Sequence, residues 1–280
     1  MRDGDARLGR SSSRVRRLRG LLRDPKARQA ERAFVVEGPR AVAAAFERGV
    51  AIEGVYVGPG ADRAFAALCD RIRVAGIPVY ELKEGVLERV GSTVTPQPVL
   101  AVAPATKARV DELAPGLVLV AVDVADPGNA GTMLRSAEAA GAAGVVFCGS
   151  SVDPYNPKVV RSSAGAIFGV RVVEADDPVV VLDALGARGW RRYGTRPADG
   201  TPYDRADLTG SVAVVLGNEA RGLADTLPLD DTITIPMVGD AESINVAMAA
   251  TVLCFEFARQ FRARGGGDTA GGGAAGGRVP

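Results

Sequence analysis

"LVLVAVDVADPGNAGTMLRSAEAAGAAGVVFCG", residues 117–149, decides the architecture of this chain. An apolar run from Leu117 to Val122 leads into a Pro127–Gly128 turn, then a stretch with helical spacing, then a second apolar run ending at Cys148. Strands apolar at every position are buried on both faces, and a helix between two of them makes the pair parallel. The alternation continues through "GVRVVE" (169–174), a helical "PVVVLDALGARG" (178–189), "WRRYGT" (190–195), "SVAVVLG" (211–217) and "TITIP" (232–236). A last helix lies within "AESINVAMAATVLCFEFARQF" (241–261), where Thr251 is the one polar residue between Val246 and Phe255. Such a helix belongs inside the protein or against a partner. Residues 117–264 are therefore expected to form an α/β unit built on a mostly parallel sheet.

Upstream, "FVVEG" (34–38), "IEGVYVG" (52–58), "IPVYEL" (77–82) and "PVLAVA" (98–103) read as strands. Between them, "RAVAAAFERG" (40–49) and "ADRAFAALCDRIRVAG" (61–76) have helical spacing and a closing glycine. Proline, charge and glycine in "PATKARVDELAPG" (104–116) break the rhythm. The expected organisation is a basic arm (1–13), a first α/β domain (14–103), a linker (104–116), a second α/β domain (117–264) and a disordered Gly/Ala-rich tail (265–280).

Composition excludes several kinds of chemistry. The chain has no histidine. That removes Ser-His-Asp and Cys-His catalysis and the usual imidazole metal sites, so no metal is expected. No apolar run reaches the ~18–20 residues that span a bilayer. The basic N-terminus lacks the apolar core of a secretion signal, which gives a cytoplasmic expectation. Cys69, Cys148 and Cys254 are far apart and set among apolar residues, and they read as packing thiols in a reducing compartment. Charge is uneven. Residues 1–32 carry eleven basic against four acidic residues, a net +7 in a chain of net +1. That segment is either a contact for a phosphate backbone or merely a solvated tail.

Ligands in open α/β sheets bind beyond the carboxyl ends of the strands, and three turns stand there. In the first, Asn129 sits near a helix cap and Arg135 lies farther along. In the second, Gly217 ends a strand and would let a ligand approach the backbone, while Glu219 is either a working carboxylate or a loop charge. The third joins Ile235–Pro236–Met237 to the last helix. There Ser243 reads as an N-cap, and Asn245 is an amide among apolar neighbours that needs hydrogen-bond partners. Neither a G-x-G-x-x-G run nor a Walker lysine is present in these turns, which leaves a nucleotide-dependent enzyme without a fingerprint.

Taken in chain order, "NAGTMLRSAEAAG" (129–141), "LGNEARGL" (216–223) and "IPMVGDAESINVAMAA" (235–250) resemble the three motifs of the SpoU/TrmH branch of the SPOUT superfamily. Its members are RNA 2′-O-ribose methyltransferases that use S-adenosylmethionine. "NPKVVRSSAGAIF" (156–168) is similar to the family's segment between the first two motifs. "KARQAERAFVVEGPRAVAAA" (26–45) and "STVTPQPVLAVA" (92–103) resemble the L30e-like substrate-binding domain of many members. The sequence departs in having Ile244 where leucine is usual and Pro98 where glycine often follows glutamine.

The resemblance implies a trefoil knot in the C-terminal domain and a bent S-adenosylmethionine against backbone near Thr195, Leu216, Gly217, Ile235, Met237, Ile244 and Val246. It implies that Arg135 stands at the nucleophile; since a guanidinium is too weak a base, Arg135 is expected to hold the target phosphate and stabilise the developing 2′-alkoxide, the proton leaving through phosphate or water. Asn129 would orient Arg135 or the ribose, with Glu219, Ser243 and Asn245 shaping the pocket. Arg161, Lys26 and Arg28 would contact RNA, ribosomal 23S RNA in preference to tRNA. A homodimer through the knot region is implied as well. The other class in view is an RNA-binding protein that kept the fold and lost turnover. The intact set Asn129, Arg135, Glu219, Ser243 and Asn245 argues for the enzyme.

Overall fold

A computed structural model describes residues 7–92, 95–106 and 108–265. The first part holds strands β1 (Ala33–Glu37), β2 (Gly54–Val57), β3 (Val79–Glu81) and β4 (Val99–Pro104). Its helices are α1 (Ser13–Arg23), α2 (Pro25–Glu31), α3 (Pro39–Glu47), α4 (Ala61–Ala64), α5 (Ala66–Val74) and α6 (Leu87–Val90). The sheet order is β1-β4-β2-β3, with β4 antiparallel to both neighbours and β3 parallel to β2.

The second part holds β5 (Leu117–Val122), β6 (Gly144–Cys148), β7 (Val172–Ala175), β8 (Arg191–Thr195), β9 (Thr201–Pro202), β10 (Val212–Leu216) and β11 (Asp231–Thr234). Helices α7 (Pro127–Ala139), α8 (Pro157–Ser162), α9 (Pro178–Ala187) and α10 (Val246–Ala263) cover them. The sheet order is β7-β6-β5-β10-β8-β11-β9 and every pairing is parallel. β5, β6 and β10 are buried at every residue, as continuous apolar runs between two helical layers must be. Because the strands are parallel, the carboxyl ends of β5, β10, β8 and β11 share one edge. Burial pushes the Cys148 and Cys254 thiols up to about 12, which suits packing groups.

Three features go beyond the sequence pattern. The basic stretch at 13–31 is no solvated tail but two helices, α1 burying Val15, Leu18, Leu21 and Leu22. The linker is tied down: Leu113 is buried, Arg188 donates to the Val110 and Leu113 carbonyls, and the Trp190 indole donates to Gly116 at 3.0 Å. The two sheets also share one cluster of buried side chains, running from Phe34 and Val36 to Leu119 and Val214. Most of the expected tail, and the first six residues of the arm, lie outside the described residues.

α8 is the brace between the parts. The Ser162 hydroxyl donates to Pro127 O at 3.0 Å, at the start of α7. Gly131 of α7 presses on the same serine, so closely that a Cβ there would lie 1.9 Å from Ser162 Oγ and 2.9 Å from its carbonyl carbon. A backbone neighbour cannot swing aside. Gly131→Ala is expected to cost about 1–3 kcal/mol as an overpacking change. Thermal unfolding reads this directly, and an unchanged midpoint would contradict the contact.

Candidate active site

The turn after β5 is built by Asp126. Its side chain accepts from the Asn129 amide N–H at 2.9 Å and caps α7, with Pro127 at the first helical position. Asn129 does lie near the cap, as expected, but Asp126 takes the capping role: Asn129 is the third residue of the helix, and its side chain is free for other work. It donates from Nδ2 to Glu219 Oε1 at 2.7 Å and accepts on Oδ1 from Asn245 Nδ2 at 2.9 Å. Asn245 Oδ1 in turn accepts from the amides of Ala247 at 2.9 Å and Met248 at 3.3 Å, capping α10. One chain of hydrogen bonds therefore joins three turns that are far apart in sequence.

Two readings of the third turn change. Ser243 is not the cap, because the helix begins at Val246 and Asn245 satisfies its first amides; Ser243 is exposed and makes no hydrogen bond among the described residues. Asn245 is itself exposed rather than packed in a core, although both ends of its amide are engaged. Behind it Thr251 donates to Ala247 O at 2.8 Å and so accepts from Ser136 Oγ at 2.7 Å, which locks α10 to α7.

Asn218 was not singled out from sequence. Its Oδ1 accepts from the Ala220 and Arg221 amides at 3.0 and 3.1 Å, and its Nδ2 donates to Asp123 O at 2.9 Å. It folds the loop after β10 and ties that loop to the end of β5, aiming Glu219 at Asn129. The signal for it is an asparagine four residues before a glycine, an Asx turn that closes on Gly222 at φ +65°. Gly217 also has a local reason. A Cβ there would meet the Gly222 carbonyl carbon and oxygen at 2.5 Å, so the loop itself, rather than a ligand, requires glycine. Gly131 is the other residue that sequence reasoning passed over.

Thr195, Leu216, Gly217 and Ile235 stand at the carboxyl ends of the adjacent strands β8, β10 and β11. The Thr195 hydroxyl is used inside the sheet, donating to Val215 O at 3.0 Å. Met237 and Val246 are half-buried and Ile244 is exposed. Among the described residues, no group of three or more His, Cys, Asp or Glu could hold a metal ion, and no helix is long and apolar enough to cross a membrane.

Arg135 is exposed and has no hydrogen-bond or ion-pair partner among the described residues. It lies six residues beyond Asn129, about 9 Å along the helix and turned away from it. Its helical neighbours are Gly131, which touches α8, and Glu138, which pairs with Arg48 of the first part at 2.7 Å. Arg135 thus looks toward the junction of the two parts, while Asn129 looks toward α10.

The three expected RNA contacts divide. Lys26 is exposed. Arg28 is buried, with Nε and Nη2 on Asp153 Oδ2 at 2.7 and 2.6 Å and Nη1 on Leu21 O at 2.7 Å. Arg161 is held by the carboxylate of Glu37, whose side chain is 1% exposed, and by the Ser92 hydroxyl. Both arginines are struts between the parts: Arg161 faces a carboxylate that packing has removed from water, and Arg28, itself buried, faces the partly buried Asp153.

The model of the SpoU rRNA methylase family matches residues 116–255, and that of the MRM3-like substrate-binding domain matches residues 12–101. A 23S rRNA (guanosine(2553)-2′-O)-methyltransferase of Bacillus subtilis is 38% identical over 183 residues, 64% of this chain and 72% of its own. The crystal structure of the SpoU methyltransferase AviRb from Streptomyces viridochromogenes, in complex with the cofactor AdoMet, superposes with a TM-score of 0.79. It is 29% identical and covers 89% of this chain and 98% of its own. An AdoMet-bound rRNA methyltransferase from Sinorhizobium meliloti superposes equally well, with a TM-score of 0.79, at 27% identity over 90% of this chain and 98% of its own.

Proposed function

The chain belongs to the SpoU rRNA methylase family, and on that footing we propose that it methylates a ribose 2′-hydroxyl of 23S ribosomal RNA with S-adenosylmethionine. The observation that carries this reading is the hydrogen-bonded chain Glu219–Asn129–Asn245, which unites the three motif turns in one wall. An RNA-binding protein that had lost turnover would need only Asn245 of that chain, to cap α10, and not the exposed Glu219.

The cofactor fits the residues present. Carboxyl ends of three adjacent strands offer apolar Leu216, Ile235 and Met237. The main chain at Met237 and Ile244 makes no hydrogen bond among the described residues, so its donors and acceptors are open to an adenine edge. When bound, S-adenosylmethionine supplies a sulfonium methyl whose leaving thioether is neutral and needs no acid. The reaction joins the ribose 2′-oxygen to the methyl carbon, breaks the carbon–sulfur bond and releases one proton. Arg135 is the group that holds the target phosphate and stabilises the 2′-oxygen as the proton leaves to phosphate or water, since a guanidinium is too weak a base to take it. Asn129, fixed on both sides, shapes the ribose side with Glu219 and Asn245. Ser243, exposed and without a hydrogen bond among the described residues, is assigned to the same pocket.

The same reading includes a knotted C-terminal segment, a first domain that seats RNA, work in the cytoplasm and a homodimer. What supports the dimer is an apolar face on α10: Met248 and Phe255, seven residues apart, are 63% and 47% exposed, and Ile244 precedes them at 37%. Phe255→Asp is expected to turn a dimer into a monomer by light scattering at micromolar concentration. A wild-type monomer there would sink the assembly.

Mapping 2′-O-methyl sites in ribosomal RNA from cells with and without the gene tests the activity. One site is expected to vanish with the gene and return with the purified protein. An identical methylation map in both strains would overturn the reading.

A further inference from the structure

Between α2, the start of α8 and the loop at Ser92 lies a cleft of about 540 Å³. Arg23, Arg28, Asp153, Asn156, Lys158 and Arg161 line it. Two of its four cations are already neutralised inside the fold, Arg28 by Asp153 and Arg161 by Glu37. Withdrawing either arginine to serve a ligand would strand a poorly solvated carboxylate, which makes both of them unfit as RNA contacts. Arg23 and Lys158 are left. Both are exposed. Arg23 donates to the Arg89 carbonyl at 2.8 Å, which leaves its charge uncompensated, and the Lys158 ammonium has no partner among the described residues.

We propose that this cleft is a binding site for the phosphodiester backbone of the substrate RNA, with Arg23 and Lys158 as its contacts and Arg28 and Arg161 as its walls. The proposal rests on the RNA methyltransferase reading and adds where the substrate strand runs. Position supports it. Lys158 stands one turn before Ser162 on α8, about 6 Å away, and Ser162 touches Gly131. Arg135 stands one further turn along α7 on the face of Gly131. A strand seated on Lys158 therefore passes within a few nucleotides of the residue assigned to the target phosphate. Exposed Arg16, Arg19 and Lys26 on α1 and α2 extend the same positive surface away from the cleft.

The test uses the full-length protein and 23S ribosomal RNA prepared from cells lacking the gene. Lys158→Ala and Arg23→Ala are each expected to weaken RNA binding roughly 3–10-fold and to make the slope of log affinity against log salt shallower by about 1. Affinity for S-adenosylmethionine and the thermal midpoint are expected to stay at wild-type values, and Lys158→Arg to recover most of the binding. By contrast, Arg161→Met is expected to lower the thermal midpoint, as removal of a strut should. An unchanged slope and affinity in the Lys158→Ala/Arg23→Ala double variant overturns the site. So does competition by millimolar inorganic phosphate at matched ionic strength, which would mark a free-anion site instead. Binding is read apart from turnover. A wild-type protein that binds RNA without methylating it defeats the enzymatic reading while the slope still judges the cleft.

Discussion

Arg135→Ala is expected to bind S-adenosylmethionine as the wild type does and to transfer methyl groups roughly a thousandfold more slowly. The size follows from the chemistry. A ribose hydroxyl attacks a sulfonium methyl only as its proton is lost, so whatever stabilises the oxygen at that moment controls the barrier. A preorganised cation worth about 4 kcal/mol corresponds to the loss stated. The separation from cofactor binding follows from the structure. Arg135 is exposed, makes no hydrogen bond or ion pair among the described residues and lies on the α7 face of Gly131 and Glu138, whereas the strand ends proposed for the cofactor belong to β8, β10 and β11. Folding should be untouched for the same reason. Calorimetry of cofactor binding and single-turnover transfer to ribosomal RNA check the two halves independently. Turnover within tenfold of wild type would remove Arg135 from the mechanism.

The second large effect is expected for Asn129→Asp, which keeps the shape and replaces a donor by an acceptor. Asn129 donates to Glu219 through Nδ2 and accepts from Asn245 through Oδ1. Aspartate can still accept from Asn245, but it sets a second carboxylate 2.7 Å from Glu219 where a donor stood. Like charges at that distance push the loop after β10 away from α7. Transfer should fall about a hundredfold, and cofactor affinity should fall with it because that loop carries Gly217 and borders the proposed pocket. Asn129→Ala, which removes the donor without adding charge, should be the milder of the two. Stability should change by less than about 1 kcal/mol in both, since Asn129 is only half-buried and its partners Glu219 and Asn245 are exposed. Equal activity in the Asp and Ala variants would mean that the orientation of Glu219 plays no part.

Much of this molecule is legible in the order of its residues. A strand such as β5 or β10, apolar at every position, has one environment open to it, and that environment is the middle of a parallel sheet. The turns at strand ends were legible for a related reason: glycine, proline and asparagine mark where the chain must leave the sheet. The basic segment at 13–31 was less so. Its apolar positions Val15, Leu18, Leu21 and Leu22 are spaced for a helix, but the density of arginine between them hides the stripe.

Pairing is what the sequence alone could not decide. It determined the parallel sheet, the edge where a site must lie and the residue types gathered there. Which asparagine caps and which one reaches across depends on where each helix starts. Asp126 rather than Asn129 caps α7, and Asn245 rather than Ser243 caps α10, and only then is Asn129 free to bridge Glu219 and Asn245. Charge behaves in the same way. Arg28, Arg161, Arg23 and Lys158 are all simply basic in sequence. The packing of the first part against α8 buries Glu37 and brings Asp153 to Arg28, and that consumes two cations and leaves two for a ligand. A buried carboxylate binds whichever cation the fold brings to it, because leaving it unpaired costs more than any surface contact returns.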